Sequence, residues 1–234
     1  MSTPASGELT TTSYAILGLL AVQPWSTYEL ARQMDRALGW FWPRTRSKLY
    51  EEPKKLVAAG LAKATTESVG RRQRTVYSIT AKGRRAIARW ASTSGGGGPV
   101  LEFEQLVKVF FAEHGSKEDL LATLAELRTW LEERAMASQG IPHEYLEGRG
   151  PYPERLPWLI LTGRFLDEFD SAVERWLDWA TDVVRSWPDD IRTAESDWEA
   201  LAAMAQRVDA ILERRARRLE ASPAGPVAVT RPVK

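Results

Sequence analysis

The sequence predicts a mainly α-helical protein of two parts, with a small β-hairpin in the first part. Three observations support this. The pattern of residues 1–94 indicates three helices, a hairpin and a fourth helix. A glycine run then interrupts the chain. Almost every segment after this run has helical periodicity. The expected organisation is one domain over 1–94, a glycine-rich linker over 95–99, a helical domain over 100–221 and a disordered tail over 222–234.

Helix signals are clear in the first part of the chain. Residues 13–22 are almost wholly apolar, which indicates a short helix at the centre of a small core. Ser26 or Thr27 is expected to cap a second helix, because a hydroxyl oxygen accepts a hydrogen bond from an N-terminal amide. A third helix is predicted from about Thr45 to Ala59, with Gly60 as its end.

A β-hairpin is predicted next, with strands over 61–66 and 74–79 and a turn over 69–73. Thr80 is expected to cap a fourth helix. Three helices followed by a basic hairpin are typical of the winged helix-turn-helix, whose recognition helix enters the major groove of DNA. The predicted fold is therefore an N-terminal winged helix-turn-helix with a two-stranded β wing, followed by an all-helical C-terminal dimerisation domain.

The net charge of +1 conceals two halves of opposite sign. Residues 1–94 contain 15 Lys and Arg against 6 Asp and Glu, whereas residues 95–234 contain 17 against 25. A basic first half indicates a polyanionic partner, and double-stranded DNA suits the predicted fold. The alternative is an asymmetric but merely solvated surface.

Two basic clusters lie where a winged helix contacts DNA. Arg44, Arg46 and Lys48 lie at the start of the third helix, whose N-terminal amides add affinity for anions. The second cluster surrounds the hairpin turn, where a tight bend needs a permissive backbone. It consists of Gly70, Arg71, Arg72 and Arg74.

Three segments, SYAILGLLAVQPWSTYELARQM, SKLYEEPKKLVAAGLA and GRRQRTVYSITAKGRRAIARW, together cover nearly all of residues 13–90. In them the sequence resembles the PadR-like family of bacterial transcriptional regulators, and TVYSITAKG is the most specific run. The segment PVLEFEQLVKVFFAEHGSKEDLLATLAEL is similar to the start of the C-terminal part in the longer members. The resemblance implies that Tyr50 lies on the recognition helix and that Tyr77 packs at the base of the wing. It also implies that the C-terminal part dimerises and, in some relatives, senses a small molecule.

The predicted DNA contacts combine the basic clusters with this resemblance. They are Thr27, Tyr28, Arg44, Thr45, Arg46, Ser47, Lys48, Tyr50, Lys54, Gly70, Arg71, Arg72 and Arg74. One position departs from the family's pattern, because Pro53 lies where leucine is common. A proline inside a helix removes a backbone hydrogen bond and costs about 3 kcal/mol, so a kink or break is expected near Glu52.

The second half is predicted to be almost entirely helical. Ser116 is expected to begin a helix, a Gly- and Pro-rich loop is predicted over 139–153, and two long helices follow. An earlier stripe is expected to face the core and consists of Phe103, Leu106, Val107, Phe110 and Phe111. The last helix has a continuous apolar stripe that either packs on its own chain or, as predicted, on a second subunit. Its predicted dimer contacts are Trp198, Leu201, Ala205, Val208, Leu212 and Leu219.

Ten tryptophans allow two interpretations. Trp158, Trp176 and Trp179 are candidates for binding a small apolar or aromatic effector, while the alternative is that they anchor the core and interfaces. His114 and His143 are isolated, so no metal site is predicted, and no cofactor is expected. No G-x-S-x-G, P-loop or dinucleotide motif is present, so the chain is not predicted to be an enzyme.

The predicted function is sequence-specific transcriptional regulation, as a repressor that binds an inverted-repeat operator as a homodimer and is relieved by the effector. The alternative is a winged-helix protein interaction module without specific DNA binding. A cytoplasmic protein without a membrane partner is expected, because the first residues lack the pattern of a signal peptide.

Overall fold

A computed structural model describes residues 9–69 and 72–221, and for Val69 and Arg72 it describes the backbone alone. The chain forms two compact units that divide between Leu101 and Glu102. Helices predominate in both, and the one sheet of the described residues lies in the first unit. The predicted disordered tail over 222–234 lies outside the described residues.

The first unit combines helices with a small antiparallel sheet. Its helices are α1 (Thr11–Val22), α2 (Thr27–Leu38), α3 (Arg46–Ala58) and α4 (Ala81–Ser92), and its strands are β1 (Trp25–Ser26), β2 (Ala62–Val69) and β3 (Arg72–Ile79). This confirms the predicted order of helices and hairpin. The core that holds these elements together consists chiefly of Ile16, Leu17, Leu20, Leu30, Met34, Leu49 and Leu56.

The predicted helix ends follow local hydrogen bonding. Ser26 caps α2, because its hydroxyl accepts from the Glu29 amide at 3.3 Å while the Glu29 carboxylate accepts from the Ser26 amide at 2.9 Å. Thr80 caps α4 by accepting from the Gly83 amide at 3.0 Å. Gly60 follows α3 with φ +70°, a left-handed conformation that favours glycine.

The sheet has the order β1-β3-β2, so the hairpin gains a short third strand that the sequence did not predict. In β1, Trp25 pairs with Tyr77 of β3, and both side chains are buried. The two hairpin strands reach Val69 and begin again at Arg72, which makes the predicted turn over 69–73 too long.

The break expected near Glu52 was a wrong prediction, because α3 continues through Pro53 to Ala58. Pro53 is fully buried on the inner side of the helix. The residue before it is tied to α1, since the Ser13 hydroxyl donates to Glu52 Oε1. Burial of the ring and this buried hydrogen bond offset the lost backbone bond.

The second unit is helical throughout its described part. Its α-helices are α5 (Glu104–Phe110), α6 (Lys117–Ser138), α7 (Gly140–Leu146), α8 (Leu156–Ser186) and α9 (Trp198–Glu220). Ser116 caps α6 as predicted, accepting from the Asp119 amide at 3.1 Å. The core lies between α6 and α8, where Leu124 and Leu127 pack with Val173 and Leu177.

Two expectations for this unit were wrong. The loop predicted over 139–153 contains α7, since the lone Pro142 falls within its first turn, where a missing amide costs little. The stripe expected to face the core is largely exposed, with 77% of Phe110 and 56% of Val107 accessible to solvent. Phe103 does pack against the α6–α8 core, but it and Phe111 lie outside the seven-residue helix α5, which is too short to turn the whole stripe inward.

Candidate nucleic-acid interface

The start of α3 presents an uncompensated positive surface. Arg46, Ser47 and Lys48 are exposed, and neither Arg46 nor Lys48 forms an ion pair or a side-chain hydrogen bond within the described residues. Thr45 is the N-cap, yet its side chain accepts no amide hydrogen bond and contacts Ser47 Oγ at 3.2 Å instead. The first amides of α3 are thus available to an anion, together with two unpaired cations.

One face of α3 is buried and the opposite face is exposed. Leu49 and Leu56 lie on the buried face. Because successive residues of a helix turn by about 100°, Ser47, Tyr50 and Lys54 lie opposite them, on the side a DNA groove would meet. Tyr50 is 36% exposed, at the edge of that face.

Lys54 is partly neutralised by its neighbour. Its Nζ lies 2.9 Å from Glu51 Oε1, and both side chains are exposed. The hydrogen bond to Lys54 lowers the pKa of Glu51, and the same bond raises the pKa of Lys54. A phosphate must compete with Glu51 for this ammonium group, so Lys54 is a weaker candidate than Arg46 or Lys48.

Arg44 is held firmly beside the start of α3. Its Nε donates to Thr12 Oγ1 of α1 at 3.2 Å, and its guanidinium carbon lies 3.9 Å from the centroid of the Trp42 ring. Trp42 Nε1 donates to the same Thr12 oxygen at 3.3 Å, and Arg44 Nη1 donates to the Pro43 carbonyl at 2.7 Å.

The wing is joined to α2 through Arg74. Its Nη2 lies 2.9 Å from Glu67 on β2, and its Nη1 lies 3.6 Å from Glu29 on α2. The pKa of Glu29 is lowered mainly by the hydrogen bonds of Glu29 with Ser26, and to a smaller extent by the charge of Arg74. Arg74 is therefore engaged in ion pairs that a phosphate would have to displace. Gly70, Arg71 and the side chain of Arg72 lie outside the described residues.

The two predicted contacts on α2 lie at its start. Thr27 is its first residue and is half-buried, whereas Tyr28 is 66% exposed. Sequence analysis missed three residues that support this surface, of which Thr12 and Glu52 are buried. Thr12, Glu29 and Glu52 act through hydrogen bonds to residues distant in sequence or through a cap, and no motif in the sequence marks the first and last of them.

The candidate effector residues are not brought together. Trp158 and Trp176 are 18 residues apart on α8, about 27 Å along its axis, so one chain cannot place both in one small pocket. Trp158 is 64% exposed, whereas Trp176 packs against the α6–α8 core. Trp179 is exposed one turn further on. A groove of about 260 Å³ lies elsewhere, near Phe111, Asp119 and Leu120.

The predicted dimer contacts on α9 are exposed in the single chain. No residue of α9 is buried, and Trp198 is 72% exposed. Leu201, Val208, Leu212 and Leu219 are each between 50% and 55% exposed, and Ala205 is exposed as well. The stripe is therefore not buried on the described part of its own chain.

Other kinds of site find little support in the described residues. No group of three His, Cys, Asp or Glu side chains within 9–69 and 72–221 is arranged to hold a metal ion. In the same ranges, no helix is long and apolar enough to cross a membrane.

Two family models match the chain. Residues 16–89 match that of the transcriptional regulator PadR-like family, and residues 104–185 match the virulence activator alpha C-terminal model. Two curated relatives align over 78 residues, a third of this chain. A probable transcriptional regulator of Mycobacterium tuberculosis is 40% identical, and the negative transcriptional regulator PadR of Bacillus subtilis is 33% identical. The aligned part spans 41% and 43% of these relatives.

Solved structures of the same fold cover more of the chain. Bacillus subtilis PadR in complex with operator DNA matches 73% of this chain and 99% of its own, with a TM-score of 0.60 and 22% identity. The same protein in complex with p-coumaric acid matches 76% of this chain and 100% of its own, with a TM-score of 0.59 and 22% identity. The Vibrio cholerae virulence activator AphA matches 75% and 96%, with a TM-score of 0.52 and 24% identity. These matches confirm the predicted fold, and the PadR-like family and both curated relatives are transcriptional regulators rather than enzymes.

Proposed function

We propose that the chain is a PadR-like transcriptional regulator that binds an inverted-repeat operator in duplex DNA as a homodimer and represses transcription, because residues 16–89 match the model of that family. The DNA-binding domain is taken to be residues 1–94, joined by the linker 95–99 to the helical domain 100–221. The observation that supports this most is the start of α3, where Arg46 and Lys48 have no acidic partner in the described part of the chain and lie beside open helix amides. Unpaired cations at such a position bind phosphates without first breaking an ion pair.

The homodimer is supported by α9. A helix of 23 residues with an exposed apolar stripe loses the hydrophobic contribution of that stripe unless a second surface covers it. A second copy of the chain supplies an identical stripe, and twofold symmetry then matches the symmetry of an inverted repeat. Each half-site is bound weakly alone, so dimerisation raises the affinity for the whole operator.

Repression and its relief complete the proposal. A dimer that covers promoter DNA excludes polymerase without further contacts, and one curated relative is a negative regulator. A small aromatic or apolar effector is proposed because a solved structure similar to this chain, that of Bacillus subtilis PadR, contains p-coumaric acid. Trp176 and Trp179 remain the candidate effector residues, whereas Trp158 lies too far from them to belong to the same site in one chain.

The test is fluorescence anisotropy with a labelled duplex from upstream of the protein's own gene, against a scrambled duplex of equal length. The wild type should prefer the upstream duplex, and Arg46→Ala/Lys48→Ala should lose at least about tenfold in affinity, since each lost phosphate contact weakens binding. The matched control is Arg85→Ala/Arg89→Ala, which removes the same charge from exposed positions on α4. Equal losses in both double variants, or no preference by the wild type, would contradict the proposal.

A further inference from the structure

We propose that Thr12 of α1 is a positioning residue for DNA binding, which acts by fixing Arg44 in the orientation that meets a backbone phosphate next to the start of α3. The inference rests on the proposed DNA-binding function. It concerns a residue that lies 32 positions before Arg44 in the sequence and does not itself reach the surface where DNA would bind, since it is 8% exposed.

Thr12 Oγ1 is the common acceptor of the cluster. It accepts from Arg44 Nε at 3.2 Å and from Trp42 Nε1 at 3.3 Å. These two bonds fix both the ring and the guanidinium, which stack 3.9 Å apart. A third bond, from Arg44 Nη1 to the Pro43 carbonyl at 2.7 Å, restrains the guanidinium further.

The cluster leaves part of the guanidinium available. An arginine side chain has five N–H donors in a planar fork, and the described residues accept one hydrogen bond from Nε and one from Nη1. The Nη2 group has no partner among them. Arg44 lies two residues before Arg46, the first residue of α3, and the amides at this helix start also attract an anion.

Fixing an arginine in advance raises affinity because less side-chain entropy is lost on binding. Arg46 and Lys48 are exposed and unpaired, so each must be ordered when DNA binds. Arg44 is already ordered by Thr12 and Trp42. Removing the Thr12 hydroxyl should therefore weaken DNA binding although no charge and no DNA-contacting atom is removed.

The test is a double-mutant cycle in the full-length protein, with Thr12→Val, Arg44→Ala and the double variant measured by anisotropy on the upstream duplex. Thr12→Val should weaken binding by about threefold to tenfold, the range of a single hydrogen bond. If Thr12 acts through Arg44, the double variant should bind no more weakly than Arg44→Ala alone. The salt dependence of Thr12→Val should also fall toward that of Arg44→Ala, an effect that a loss of stability alone does not produce.

Matched variants separate positioning from folding. Thr11→Val makes the same change at an exposed neighbour on α1 and should bind as the wild type does. Thr12→Ser keeps the hydroxyl and should restore binding, whereas Thr12→Ala removes it without adding a methyl group and serves if Thr12→Val does not fold. Additive losses in the cycle, or equal binding by the Thr12→Ala and Thr12→Ser proteins, would overturn the inference and leave the proposed function intact. Failure of the wild type to bind any duplex would instead overturn the proposed function and the inference with it.

Discussion

The buried hydrogen bond between Ser13 and Glu52 should contribute measurably to the stability of the first unit. Ser13 is 2% exposed and Glu52 is 8% exposed, and the Ser13 hydroxyl also accepts from the Thr10 amide at 2.9 Å. Ser13→Ala removes the hydrogen-bond donor to Oε1 of the buried Glu52 carboxylate. The nearest described cation, Lys55 Nζ, lies 3.3 Å from the other oxygen, Oε2. Such a loss costs about 2–3 kcal/mol, because a buried charged acceptor is left unsatisfied.

The double variant Ser13→Ala/Glu52→Met provides the sharper half of this test. The Thr10 amide loses its Ser13 acceptor in both variants, but only the double variant also removes the unsatisfied carboxylate. The double variant should therefore be more stable than Ser13→Ala by about 1 kcal/mol or more. Urea unfolding gives the free energies, and hydrogen exchange at the amides of α1 and α3 assigns them to the first unit. Thr11→Ala, at an exposed neighbour, should change stability by less than about 0.5 kcal/mol. A Ser13→Ala protein as stable as this control, or a double variant less stable than Ser13→Ala, would refute the reasoning.

Three further results are expected. If the dimer neutralises six or more phosphates, its DNA affinity should fall about a thousandfold between about 50 and 200 mM salt, and a flat response in a titration would contradict phosphate binding. Leu201→Glu/Val208→Glu should give monomers in sedimentation, because a charge at the centre of an apolar contact is left without water or partner. Deletion of residues 196–234 should also give monomers, whereas the control Gln206→Glu, on the opposite face of α9, should stay dimeric. A dimer in the first variant would place the interface elsewhere. The hydrogen bonds of Glu29 with Ser26 are the main cause that lowers the pKa of Glu29 from its ordinary 4.5. The ionised Glu29 carboxylate therefore stabilises the fold above pH 4.5. This contribution is lost as pH falls through the lowered pKa. The stability difference between wild type and Glu29→Gln should therefore shrink between pH 6 and pH 3 in urea unfolding, and a constant difference would exclude this role for Glu29.

The local features of the fold were predictable because their signals lie within a few residues. The caps at Ser26, Thr80 and Ser116 follow from hydroxyl side chains beside free helix amides, and Gly60 ends α3 because glycine accepts a left-handed backbone. The basic cluster at the start of the third helix was likewise predictable from residue type and position. Sequence alone also predicted the apolar stripe of α9, which depends only on spacing along one helix.

Only the tertiary structure decided how these parts act on one another. Sequence rules predict a kink or a break near Glu52, yet α3 continues without a break, because burial of the ring and the bond from Ser13 outweigh the lost backbone bond. The third strand, β1, is two residues long and forms only where β3 offers it a partner. Arg44 and Arg74 look alike as cations in the sequence, but one is fixed by Thr12 beside an open helix start and the other is paired with Glu29 and Glu67. Charge and periodicity are properties of a segment, whereas the pairing of a charge depends on which distant residues the packed core places within hydrogen-bonding distance.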